Sequence, residues 1–181
     1  MTRTLIPDTD WLDLVLAAKK SIFRLEQQPF YASDLDPQWW PDYEAWLKGT
    51  PRPINDDDHI WGDWIKTTRQ LAAEGRPITR IRVIDDPPTN YQQWTIWTAT
   101  HINNPNGEDI RYLNRQTAQE SGLNRLGSDD WWLLDNNRLV VMRFDSDGER
   151  QHVHLETDGS TLDVARAWHE VAMRIGELAT S

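Results

Sequence analysis

The chain has 181 residues, 38% of them hydrophobic and 27% charged, with 19 basic against 29 acidic residues and a formal net charge of −10. That length supports one domain with its own core, and that charge opposes a phosphate backbone unless basic residues cluster, which they do not. With no cysteine, disulfides, thiolate metal sites and a cysteine nucleophile are excluded.

The first residues carry no apolar signal core, and no stretch is long enough to span a bilayer, so a cytoplasmic protein without a membrane partner is expected. Asp8 or Thr9 is placed to cap a helix whose Trp11, Leu14, Val15, Ala18 and Ile22 share a face. "SIFRLEQQPFYA" reads as extended. "PDYEAWLKG" is a short helix, with Pro41 near its start and Gly49 past its end. After the loop "TPRPINDDDH", Asp56, Asp57 and Asp58 suit the positive end of a helix in which Ile60, Trp61, Trp64, Ile65, Thr68, Leu71 and Ala72 keep helical spacing up to Gly75.

"ITRIRVID", residues 78–85, alternates as a strand. "TNYQQWTIWTATHINN" fits both periods and is read as a helix capped by Asn90. "EDIRYLN" is a second strand and "RQTAQESG" a short helix. "WWLLD", "LVVMRFD" and "RQHVHLE" are three more strands, joined by a turn at Asn136 and Asn137 and by "SDGE". On the hairpin, Leu133 is expected to pack with Val140 and Met142, or their alternates, against the last helix. "STLD" has capping-box spacing, and the last helix presents Leu162, Ala165, Trp168, Ala172 and Ile175 to the core. The pattern is a single α+β domain over 1–181. It is mainly helical over 1–77 and sheet-rich over 78–156, with a mixed or antiparallel sheet of about five strands and a closing helix over 157–181.

Three features carry possible chemistry. His152, His154 and Glu156 share one face of a strand, a set that can ligate a metal. The apolar face is that of Val153 and Leu155, so the polar three are expected to face water and neither metal nor cofactor is expected. Arg80, Arg82, Arg111 and Arg143 sit inside apolar strands. They are either salt-bridged across the sheet or gathered on an anionic ligand or acidic peptide. The 11 tryptophans are mostly explained by core packing, the alternative being a tryptophan-lined ligand pocket. Serine-nucleophile motifs, phosphate-binding glycine loops and dinucleotide fingerprints do not occur.

"SIFRLEQQPFYA", "GRPITRIRVIDDPPTNY", "GEDIRYLNR" and "DDWWLLDNNRLVVMRFDSDGE" together resemble an actinobacterial domain family of unknown function. The resemblance covers most of the chain, and its most specific pieces are Gly107 to Leu113 and the hairpin. It implies a cytoplasmic regulatory protein, since members are often encoded beside Xre-type helix-turn-helix regulators in arrangements similar to toxin–antitoxin pairs. The order strand, helix, strand, hairpin, helix is also similar to half of the phospholipase D fold. There the hairpin carries His-x-Lys-x4-Asp, whose histidine is the nucleophile and whose lysine steadies phosphate charge. With Asp135 on the motif's aspartate, Ser128 falls on the histidine and Asp130 on the lysine. The hairpin therefore resembles one without that chemistry.

The functional expectation is a non-catalytic regulatory or sensory module that binds a small ligand or a protein partner such as a helix-turn-helix regulator, without direct nucleic-acid contact. The alternatives are an enzyme acting on a phosphate ester or specialised metabolite, and a toxin-like effector mimicking nucleic acid. A deep pocket with converging His, Asp and Arg would favour the enzyme. No catalytic residue is assigned. The residues assigned to binding are the strand arginines Arg82, Arg111 and Arg143, with Glu108, Asp109 and Tyr112 from the shared segment. Asp135 of the hairpin and the tryptophans Trp94, Trp97 and Trp131 complete the set.

Overall fold

Alternating apolar residues build a mixed sheet of eight strands, in the order β1-β7-β6-β5-β2-β3-β4-β8. The strands are β1 (Arg3–Ile6), β2 (Ile22–Glu26), β3 (Ile78–Ile84), β4 (Asp109–Asn114), β5 (Asp130–Leu134), β6 (Arg138–Phe144), β7 (Arg150–Glu156) and β8 (Glu177–Leu178). The helices are α1 (Trp11–Leu16), α2 (Trp40–Leu47), α3 (Gly62–Ala73), α4 (Asn90–Thr98), α5 (Arg115–Glu120) and α6 (Gly159–Ile175). The computed structural model describes residues 3–7, 10–54 and 61–178. The aspartates Asp56, Asp57 and Asp58, Ile60, and the capping candidates Asp8 and Thr9 lie outside the described residues. Among the described residues, no helix is long and apolar enough to cross a membrane.

The class is α+β, as expected, but the sheet has eight strands rather than five. The segment read only as extended is β2, a central strand, and β1 and β8 add the two edges. At four and two residues, those edges are too short to show a period. β2, β3 and β4 are parallel, because helices carry the chain across between them. β5, β6 and β7 form an antiparallel meander that joins β2 through β5.

Both faces of the sheet are covered. On one, Phe23, Leu25, Ile81, Val83, Trp131, Leu133 and Leu139 pack against Leu162, Ala165, Trp168 and Ala172 of α6. On the other, Val15 of α1 and Leu71 of α3 pack on Ile22, Ile78, Trp132, Leu134, Val140, Met142 and Val153. A fully buried side chain of this size contributes about 1.5–3 kcal/mol. Leu133 faces α6 beside Leu139, its cross-strand partner, while Val140 and Met142 face the opposite layer. Ile175, expected in the core, is exposed in the last turn of α6, where the chain swings into β8.

Four further expectations are corrected. α1 ends at Leu16, and Ile22 opens β2 instead of lengthening the helix. The intervening corner is tied down by Asp135, whose carboxylate accepts from the backbone N–H groups of Lys19, Lys20 and Ser21. α4 is capped by Thr89, not Asn90: its hydroxyl accepts from Gln92 N–H, and the Gln92 side chain accepts from Thr89 N–H. The helix runs on through a π turn, Ala99–Asn103, and a tight turn, Asn104–Asn106. α6 is capped by Asp158, which accepts from Thr161 N–H, rather than by "STLD". Finally, His154 and Glu156 are buried, and only His152 of that trio is exposed. Alternation does put them on one face, but that face also holds their cross-strand partners Val141 and Leu139 and is covered by the α6 core.

Candidate functional site

The face opposite α6 carries an unusual floor. β2 alternates Phe23 and Leu25 towards α6 with Arg24 and Glu26 towards the other layer. Register then sets Arg24 beside Arg80 and Trp132, and Glu26 beside Arg82. Arg80 donates to Glu26 at 2.9 Å and to Glu108 at 2.8 Å. Arg82 donates to the second oxygen of Glu26 and to the Thr95 carbonyl at 2.9 Å. Glu108 also accepts from the Trp64 indole at 2.7 Å and the Asn103 amide at 2.8 Å. Burial alone would push the Glu26 carboxyl up. Arg80, Arg82 and Arg24 outweigh it and hold the group well below the usual carboxylate range.

Aromatic side chains rise around this floor. Trp11 stacks on Trp132 with centroids 6.0 Å apart, and Trp39 meets Trp61 edge-on at 4.9 Å. Trp64, Trp94, Tyr31 and Phe144 complete the wall of a cavity of about 540 Å³, within the size range of small-molecule sites. The β6–β7 turn closes one side through Gly148, which holds a positive φ of 74°. A Cβ there would lie 2.8 Å from the Phe30 ring, so glycine is required. Behind the floor, buried Asp130 accepts from the Tyr31 hydroxyl at 2.5 Å and from Gln27 N–H at 2.9 Å. Burial pushes its carboxyl up to about 6. Asp34, in the lining, accepts from the Tyr91 hydroxyl at 2.6 Å, and burial raises its carboxyl too.

Among the described residues, six buried side-chain polar atoms have no hydrogen-bond partner. Five belong to residues that line this cavity: Arg24 Nε, Arg80 Nε, Trp94 Nε1, Trp132 Nε1 and Asn103 Oδ1. The sixth, Trp131 Nε1, lies on the α6 face. Folded proteins pair nearly all such atoms, and here five of the six belong to residues around one cavity.

A family model described as Domain of unknown function (DUF6879) matches residues 9–179. The chain belongs to this family. A search of curated proteins finds no match.

The DUF6879 cavity gathers some of the residues assigned from sequence and leaves others out. Arg82 and Trp94 line it, and Glu108 anchors Arg80 from beneath. Tyr112 lies under α4, its hydroxyl donating to the Thr95 carbonyl that Arg82 also uses. Asp109 and Arg111 pair with each other near the end of α6, where Arg111 reaches the Met173 carbonyl. Asp135 is a structural cap, and Arg143 is exposed near the end of β6. Trp97 stacks on His101 at 4.8 Å outside the lining, and Trp131 packs with Phe23 and Trp168 on the far face. The assignment omitted Arg24, Glu26, Tyr31, Asp34 and Trp132. The available signal was "FRLE", two charges alternating with two apolar residues in a strand that both layers bury.

Proposed function

We propose that this DUF6879 domain is a sensory or regulatory module that binds a small organic ligand in the aromatic-walled cavity over β2, β3 and β5. The observation that carries the reading is that, among the described residues, five of the six buried polar atoms without a hydrogen-bond partner belong to residues lining one cavity. The carboxylates of the floor support binding over catalysis. Glu26 is held by three arginines that keep its carboxyl low, so it is a poor base at neutral pH, and the oxygens of Glu108 are taken up by Arg80, Trp64 and Asn103. In this reading ligand occupancy is passed to a protein partner in an actinobacterial cell, an Xre-type helix-turn-helix regulator, as the sequence resemblance implies. Protein isolated from its native host and extracted under denaturing conditions is expected to release a stoichiometric small molecule, visible by mass spectrometry, and to bring the regulator with it. Extracts without any bound molecule would overturn the reading.

Asp34 favours a second reading, an enzyme acting on a phosphate ester. Its raised carboxyl lines a cavity that also holds arginines, the arrangement a general acid needs. That reading requires turnover of a chromogenic phosphate ester that disappears in Asp34→Asn.

A further inference from the structure

The unpaired atoms are unevenly divided. Arg24 Nε, Arg80 Nε, Trp94 Nε1 and Trp132 Nε1 are donors, and only Asn103 Oδ1 is an acceptor. A molecule that satisfies them is therefore rich in acceptors. Arg80 and Arg82 spend terminal N–H groups on Glu26, Glu108 and the Thr95 carbonyl. Arg24 is different. Its Nε lies 3.0 Å from Glu26 without hydrogen-bond alignment, and no described residue accepts from its terminal nitrogens. Its guanidinium carbon sits 4.8 Å above the Trp132 ring and 5.9 Å from that of Tyr31. Stacking of this kind fixes the plane of the guanidinium and leaves the edge of its fork for an oxyanion.

The rest of the lining agrees. Four arginines (Arg24, Arg80, Arg82, Arg150) face three carboxylates (Glu26, Asp34, Glu149), and the walls are flat indole surfaces. We propose that the ligand is a flat ring system bearing one carboxylate or phosphate group, its anionic oxygens on the Arg24 guanidinium and its ring against the tryptophan walls. This rests on the ligand-binding reading of the same cavity and goes further by naming the chemistry of the ligand. Carboxylate and phosphate share the paired oxygens that an arginine fork takes.

The test is calorimetric titration of the full chain with matched pairs that differ only in the oxyanion. The pairs are naphthoate against naphthamide, phenyl phosphate against phenol, and adenosine monophosphate against adenosine. In at least one pair the oxyanion member is expected to bind about tenfold or more tighter, and which pair responds separates carboxylate from phosphate. Arg24→Gln is expected to shrink that preference to about twofold or less, while Arg143→Gln, exposed and outside the lining, retains it. If Arg24→Gln does not fold, the matched pairs on the unaltered protein decide the question, and Arg24→Lys, which keeps the charge and loses the fork, serves as the variant. Equal affinity within every pair, a preference that survives Arg24→Gln, or no binding by any probe would overturn the proposal. The ligand-binding reading itself would still stand on the molecule recovered from host extracts, and falls only if none is recovered.

Discussion

A single residue, Asp130, shows how the buried network behind the cavity responds to pH. It is buried with Tyr31 and Gln27 as donors, and burial raises its carboxyl from 3.8 to about 6, with Arg24 opposing. For a raised acid, the folded protein holds the proton that the unfolded chain has released. The stability gained from the neutral form is complete below pH 3.8 and is lost as pH rises through 6. The change amounts to about 3 kcal/mol at most. Asp130→Asn removes this titration and nothing else that titrates. Denaturant unfolding of both proteins from pH 4 to 7 (roughly the window between the two pKa values) is expected to show wild type losing stability relative to the variant as pH rises. Parallel pH profiles would contradict it. Glu26 has the opposite sign: its lowered carboxyl stabilises the fold at neutral pH and ceases to do so in strong acid.

At the scale of elements, the β5–β6 hairpin separates scaffold from site. Asp135 and Asn136 both take left-handed backbone, with φ of 52° and 57°. The turn thus begins one residue before the Asn136–Asn137 pair that the sequence suggests. Asp135 serves there as a clamp on the corner after α1, through three backbone N–H groups. Met142 is fully buried between the sheet and the α1–α3 layer, whereas Arg143, next in the strand, points out to solvent. Met142→Ala is therefore expected to cost about 2–5 kcal/mol through lost burial and a cavity, and Arg143→Ala less than about 0.5 kcal/mol. Both are measured by chemical unfolding, and ligand binding is expected to survive Arg143→Ala. An Arg143→Ala variant that folds normally but no longer binds would return the hairpin to the functional site. The elements that were legible in the sequence, β3 to β7 with α2, α3, α5 and α6, have long enough periods or clear turn residues. α4 is a helix as read, although its residues fit both periods, whereas β1 and β8 escaped because they are too short.

The whole molecule explains why the site was less legible than the fold. Arg24, Arg80 and Trp132 come from three strands far apart in sequence, and register alone makes them neighbours. In a linear reading, "FRLE" is part of a segment that is only extended. Only the layers on both sides of β2 make those charges buried and therefore informative. The tryptophans divided in the same way: Trp131 and Trp168 belong to the α6 core, while Trp11, Trp39, Trp61, Trp64, Trp94 and Trp132 line the cavity. The proposed ligand completes the bonding of Arg24, Arg80, Trp94, Asn103 and Trp132. The most direct measurement is a crystal structure of the protein isolated from its native host. Density for an organic molecule is expected between Arg24 and the tryptophan walls, within hydrogen-bond distance of the five atoms left without partners. Ordered water alone in the cavity, or side chains that have closed on one another to pair those atoms, would contradict it.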